Sequence, residues 1–190
     1  MKYKIKLSTV TTYKFGGYCN NFYKISNNNI DLFDEAFSNK QHFILGKGSN
    51  IAFSDDDYQG NVINPDFCEI NYIKNLSEVK VGASVFLPDL ARFYKDKNLI
   101  NAEFLIGIPG SVGGAIKMNA GAYGWEFSDI FLSTEVYNLD TKKIETIYKK
   151  DIDFSYRSSS NLERKVIISA TLIATEGDPD LISSRLKENV

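Results

Sequence analysis

The sequence predicts an α+β protein of two lobes, a small α/β lobe followed by a larger lobe built mainly on antiparallel strands. Up to Pro65, strand-like apolar runs alternate with one helical pattern; beyond Pro65, strand-like runs dominate. A length of 190 residues suits one domain or two small lobes, enough to bury roughly 70% of the unfolded surface.

In order, Phe22-Tyr23-Lys24-Ile25 reads as a strand, and Ser26-Asn27-Asn28-Asn29 as a polar turn. Ile30, Phe33, Ala36 and Phe37 then recur at helical spacing. His42 to Leu45 is a second strand, running into Gly46-Lys47-Gly48-Ser49-Asn50. Ile51-Ala52-Phe53 and the acidic turn Asp55-Asp56-Asp57 lead to a third strand, Asn61-Val62-Ile63, stopped by Pro65. Strand, helix, strand in this order predicts parallel pairing.

Phe67 to Tyr72 and Glu78 to Val81 read as neighbours in a meander. Leu87-Pro88 opens a helix running to about Lys97, with proline placed where its missing N–H does no harm. Ser111 to Met118 fits a short helix directly after a glycine turn. Ile130 to Asn138, Lys143 to Tyr148 and Lys165 to Thr175 are strand-like, with Asp140-Thr141 as a hairpin turn. Asp178-Pro179 starts a last helix, Asp180 to Asn189.

Composition narrows the function classes. The chain is 43% hydrophobic and 24% charged, an ordinary globular balance. Its net charge of -2 argues against a nucleic-acid or anionic-membrane partner. No apolar run approaches a membrane span, and Met1 to Leu7 has charges without the apolar core of a secretion signal, so a cytoplasmic location is expected. Cys19 and Cys68 stand far apart without a CxxC, and His42 is the only histidine. A metal site and a Ser-His-Asp triad therefore lack their parts. A chain poor in acid–base groups and rich in glycine loops points to chemistry carried by a bound cofactor.

The most telling stretch is Gly107-Ile108-Pro109-Gly110-Ser111-Val112-Gly113-Gly114-Ala115, followed by Asn119-Ala120-Gly121-Ala122-Tyr123-Gly124. It holds six of the 13 glycines within eighteen residues. Each glycine costs about 0.5–1 kcal/mol relative to alanine in a regular element, so such density is expected to expose bare backbone N–H groups to a ligand. The helix expected from Ser111 would aim its N-terminal amides at an anion, most simply a phosphate. Gly46-Lys47-Gly48-Ser49-Asn50 reads either as a second phosphate loop or as a plain turn. Neither loop is a Walker GxxxxGK[ST] loop or a Rossmann GxGxxG. Tyr156-Arg157-Ser158, after Phe154, is either an exposed arginine in a surface network or a guanidinium set to hold a carboxylate or phosphate.

Taken together, four segments resemble the MurB-type UDP-N-acetylenolpyruvoylglucosamine reductases: Thr11 to Gly17, Leu45 to Asn50 with Gly60 downstream, Glu103 through Gly124, and Phe154 to Ser158. The resemblance spans nearly the whole chain. It implies a two-lobed fold of the vanillyl-alcohol-oxidase type holding non-covalent FAD between residues 1–65 and 66–176, with 177–190 as a C-terminal helix or link. It implies that Gly46, Lys47, Gly48, Ser49 and Asn50, with Ile108, Pro109, Gly110, Ser111, Gly113 and Gly114, wrap the FAD pyrophosphate. Asn119, Ala120, Gly121, Ala122, Tyr123 and Gly124 would line the flavin ring. The family passes electrons from NADPH through FAD to an enolpyruvyl nucleotide sugar. Arg157 would then stabilise the charge that develops on the substrate carboxylate, with Tyr156 orienting it or packing near the flavin.

The resemblance also marks departures. The family's substrate-binding domain, with its proton-donating serine in a Gly-Ser-x-Phe-Lys-Asn-Pro-like stretch and a late carboxylate, has no counterpart in these 190 residues. Ser158, Ser159 and Ser160 do not match that stretch. Lys47 stands where another glycine is usual, and Asn98 where glycine is frequent. Three expectations follow: a fragment of a longer reductase, a short flavoprotein with another substrate or a completing partner chain, or a non-catalytic FAD-binding module.

Overall fold

The computed structural model describes residues 1–39 and 41–189. Lys40, inside the first expected lobe, and Val190, at the end of the expected C-terminal segment, lie outside the described residues.

The first sheet takes its strands from the first 65 residues: β1 (Lys2–Lys6), β2 (Tyr18–Ile25), then helix α1 (Leu32–Ala36), β3 (His42–Ile44) and β4 (Tyr58–Pro65). Their spatial order is β1-β2-β4-β3. Strands β2 and β3 both run parallel to β4, as the strand–helix–strand order requires, while β1 adds antiparallel to β2. Strand β1 was not expected. Its lysines alternate with apolar residues and remain exposed, a pattern that protects a sheet edge and carries a weak strand signal. Leu7, Cys19, Phe22, Leu45 and Val62 fill one face of this sheet.

The second sheet begins with β5 (Ile70–Ile73) and β6 (Glu78–Gly82). Helix α2 (Leu87–Asp96) and the short strand β7 (Leu99–Ile100) follow, then α3 (Val112–Met118). A small hairpin, β8 (Gly121–Ala122) and β9 (Trp125–Glu126), leads into α4 (Phe127–Ile130). Next come β10 (Phe131–Asn138), β11 (Lys143–Tyr148), the hairpin β12 (Phe154–Ser155) and β13 (Ser158–Ser159), and β14 (Lys165–Ile173). The chain closes with β15 (Thr175–Glu176) and α5 (Pro179–Glu188). The five main strands lie in the order β11-β10-β14-β6-β5, all antiparallel.

Four strand starts differ from the sequence reading: β2 begins at Tyr18 rather than Phe22, β4 at Tyr58 rather than Asn61, and β10 and β5 begin later than expected. Ile130 belongs to α4, because Glu126 and Asp129 form a capping box that starts a helical turn just before β10. Phe67 lies outside β5, its amide bound by the Ser84 hydroxyl at 3.1 Å. The ladders β7/β15, β8/β9 and β12/β13 are two residues long, too short to leave any periodicity in the sequence.

The main core lies between one face of the second sheet (Val79, Val81, Val136, Ala170, Leu172) and helices α2, α3, α4 and α5. The other face meets α1. Tyr137, Val166 and Ile168 pack there with Phe33 and Ala36 of the first lobe. Strand β14 serves both cores, and the slip in its pairing with β10 between Glu135 and Val136 lets Val166 and Ile168 face one while Ala170 and Leu172, of the same parity, face the other. The rings of Phe33 and Tyr137 lie 5.0 Å apart, and the Tyr137 hydroxyl donates to Asp34 at 2.9 Å. Burial and the neighbouring Asp34 push that phenol up to about 12. The lobes are therefore joined by a packed apolar seam, which fixes the cleft beside it.

Candidate functional site

The first loop follows β3. Asn64, on β4, donates its side-chain amide to the carbonyls of Leu45 at 2.7 Å and Gly46 at 3.1 Å, so the start of the loop is fastened by its acceptors. Behind it, the Thr12 amide donates to Gly48 O at 2.9 Å, and the Tyr13 hydroxyl reaches Asn50 Oδ1 at 3.4 Å. Gly48 has φ +65, and a Cβ there would sit 2.2 Å from Val10 O. Only glycine fits that approach. The Thr11 to Gly17 segment thus buttresses this loop. Among the described residues, none of the amides of Gly46, Lys47, Gly48, Ser49 and Asn50 donates a hydrogen bond. Five uncommitted N–H groups in one tight turn make an anion cradle.

The second loop behaves differently. The Val112 amide donates to Val85 O at 3.0 Å, Gly113 to Ala83 O at 2.8 Å, and Gly114 to the Ser111 hydroxyl oxygen at 3.3 Å. Ser111 is the N-cap of α3, and the Gly110 carbonyl accepts from Leu87. The expectation of bare amides at the start of α3 therefore fails for Val112, Gly113 and Gly114, because the loop is stitched to β6 and the start of α2. Only the amides of Gly110 and Ser111 remain without an acceptor among the described residues. The two loops touch: a Cβ on Gly46 would lie 2.6 Å from Ser111 Oγ.

Between them runs a cavity of about 870 Å³, near the top of the range for small-molecule sites (roughly 300–1,000 Å³). It is bordered by every residue of Gly46 to Asn50, by Ile108, Pro109, Gly110, Ser111, Gly113 and Gly114, and further along by Ala120 and Arg157. Its walls carry Lys47, Lys117, Arg157, Arg164 and Lys165 against the single carboxylate Glu163. The chain as a whole is net negative, so cationic charge is concentrated in the cavity. Arg164 is bonded to Asp140 at 2.7 Å and Lys165 to Asn161 O at 3.1 Å, whereas Lys47, Lys117 and Arg157 have no side-chain partner among the described residues.

The Asn119 to Gly124 segment divides. Ala120 borders the main cavity. Asn119, Gly121, Ala122 and Gly124 border a second cavity of about 360 Å³, with Trp125, Glu126, Tyr156 and Arg157. Tyr123 borders neither; its ring packs over Gly107, and its hydroxyl donates to Asn189 O at 2.8 Å, at the end of α5. Tyr156 and Arg157 form the turn of the β12/β13 hairpin, Tyr156 is 85% exposed, and Arg157 borders both cavities. Arg157 adopts φ +57, uncommon for a non-glycine residue.

Sequence reasoning missed Asn64, Ser84, Lys117 and the Leu162 to Ile167 wall. An asparagine between Ile63 and Pro65 was the available signal for Asn64. Ser84 and the wall reach the cavity only through the packing of the two lobes. The residues present suit a dinucleotide: an amide cradle and unpaired cations for a diphosphate, flanked by apolar wall.

Known proteins resemble this chain in sequence and fold. The family model described as "FAD binding domain" matches residues 33–146. The UDP-N-acetylenolpyruvoylglucosamine reductase of Orientia tsutsugamushi (strain Ikeda) is 36% identical over 189 residues, covering 96% of this chain. That of Rickettsia massiliae (strain Mtu5) is 35% identical over 187 residues, again covering 96% of this chain. The chain spans 62% of the length of both relatives. The crystal structure of UDP-N-acetylenolpyruvylglucosamine reductase (MurB) from Thermus caldophilus matches with a TM-score of 0.86 and 26% identity, covering 100% of this chain and 68% of that one. The amide cradle therefore sits in a fold shared with that reductase, and the chain belongs to the FAD binding domain family.

Proposed function

We propose that this chain is the flavin-seating part of an oxidoreductase of the UDP-N-acetylenolpyruvoylglucosamine reductase type. It takes electrons from NADPH and passes them to an enolpyruvyl nucleotide sugar, a step of peptidoglycan precursor synthesis. The observation that carries this reading is the set of five uncommitted amides from Gly46 to Asn50 beside Ser111, in a cavity with cationic walls. FAD, when bound, supplies the hydride chemistry.

The chain's own residues do the rest. The Gly46 to Asn50 amides, the amides of Gly110 and Ser111, and the Lys47 ammonium neutralise the diphosphate. Packed apolar walls, Ile108 and Leu162 among them, exclude water from the buried stretch. Arg157, at the junction of the two cavities, faces the growing negative charge on the substrate carboxylate and stabilises the transition state more than the ground state. Tyr156 borders the second cavity beside it. The proton donor lies outside these 190 residues, in a further domain or a partner chain.

Anaerobic mixing with NADPH tests the reading. The FAD-loaded chain is expected to lose its oxidised-flavin absorbance, and then to show little or no turnover of the enolpyruvyl nucleotide sugar by itself. Indifference to NADPH would overturn the reductase reading, and full turnover by this chain alone would overturn the placement of the proton donor.

A further inference from the structure

We propose that Asn119 is a positioning residue for Arg157, its side-chain amide tying the arginine-bearing turn to the end of α3. The proposal deepens the reading of Arg157 as the charge-stabilising group and rests on it. Asn119 is the C-cap of α3, 2% exposed, with φ 40. Its Nδ2 donates to Glu126 Oε2 at 2.8 Å and to Ser155 O at 3.3 Å, and its Oδ1 accepts from the Ser128 amide at 3.1 Å. Ser155 is the last residue before the Tyr156–Arg157 turn. On the other leg of the hairpin, buried Ser159 donates its hydroxyl to Lys117 O at 3.0 Å. Both legs are therefore pinned to the C-terminal turn of one helix.

Arg157 makes no side-chain bond of its own among the described residues, yet it holds a left-handed backbone that an L-residue adopts only at a cost. The two-residue β12/β13 turn itself calls for such a backbone, and the bonds of Asn119 and Ser159 fix where that turn sits against α3. A fixed guanidinium loses less on meeting developing charge than a mobile one. Capping alone does not explain Asn119. Glycine satisfies a left-handed C-cap at least as well, and only an amide makes these three bonds.

Trp125, the only tryptophan, borders the second cavity with Arg157 and reports on it without turnover. Iodide, an anion, concentrates near a fixed cation, whereas neutral acrylamide does not. A guanidinium held at the cavity that the indole borders is expected to raise the iodide-to-acrylamide quenching ratio by about twofold at low salt. Arg157→Gln is expected to remove that excess. Asn119→Gly, which keeps the cap but loses the amide, is expected to lower the ratio as far with acrylamide quenching unchanged; Ser159→Ala is expected to lower it less. A normal ratio in Asn119→Gly, with Arg157→Gln low, would overturn the proposal. No excess to remove in Arg157→Gln would also overturn it, since no guanidinium would then be held there. Where Asn119→Gly does not fold, Asn119→Ser, whose shorter hydroxyl side chain carries no amide to join Glu126 and Ser155, decides in its place. FAD uptake by the same variants is a separate reading, so the flavin assignment can stand if the tether falls.

Discussion

Gly46 to Asn50 and Gly110 to Gly114 are built from the same kind of residues, small and glycine-rich, yet they use their backbones in opposite ways. The first leaves all five amides without acceptors among the described residues, while its Leu45 and Gly46 carbonyls are held by Asn64. The second donates three of five amides, to Val85, Ala83 and its own Ser111. Glycine in the first loop serves close approach to Ser111 and to the Val10–Thr11 turn. In the second it serves close approach of a helix to a sheet: a Cβ on Gly113 would lie 3.3 Å from Ala83. Glycine density alone does not distinguish an anion cradle from a packing joint. The destination of each amide does.

The largest effect that could break this contrast is expected at Gly48. Gly48→Val forces a branched side chain into a left-handed backbone and against Val10 O, and should cost about 3 kcal/mol or more in denaturant unfolding and abolish FAD uptake. Normal uptake in a stable variant would remove the first loop from the site. Next come the adjacent glycines of α3. Gly114→Ala meets only Ser111 Oγ, at 3.4 Å, within 4 Å; it should keep or slightly raise stability while weakening FAD about tenfold, because its methyl, unlike one on Gly113 against Ala83, is left to face the cavity. Gly113→Ala should instead lose about 1 kcal/mol of stability with little direct effect on affinity. Reversed behaviour of the pair would mean that α3 is turned about its axis. Ser111→Ala should cost about 1 kcal/mol through the lost N-cap, read as a lower thermal midpoint.

The smallest effect concerns pH and lies away from both loops. Burial pushes the Glu135 carboxyl up, but hydrogen bonds from Lys80 at 2.8 Å and Ser169 at 2.7 Å outweigh it, so the net shift is downward. A lowered folded value contributes stability above the unfolded carboxylate range, lost as pH falls through the folded value. Glu135→Gln should therefore flatten the acid side of the stability profile, measured by urea unfolding at stepped pH. An unchanged acid slope would show that this network carries none of it.

The sequence made the elements with long periodic patterns legible. Helix α2, with Pro88 at its start, and strand β11 were read within a residue. Short ladders and β1 were not, since two residues carry no period and alternating lysines do not resemble a buried strand. At the site, the small-residue density of both loops was legible, whereas the residues alone left Gly46 to Asn50 open as a plain turn and Arg157 as a surface arginine. Which amides stay free was not, because Ala83 and Val85 capture those of Gly113 and Val112 only once the second lobe has folded. Asn119 and Tyr123 were read as flavin contacts from their place in one motif. Their side chains bond Ser155 and Asn189, partners 36 and 66 residues away, while Asn119 also borders the second cavity.

The central claim is that free amides in the first loop hold a diphosphate. The most direct test is calorimetric titration of the purified chain with FAD and, separately, with riboflavin, which has the same ring and no phosphate. The account predicts uptake of one FAD per chain, riboflavin weaker by at least about a hundredfold, roughly 2.7 kcal/mol, and a gap that narrows in Gly48→Ala. Equal binding of the two ligands, or no FAD uptake by folded protein, would contradict it.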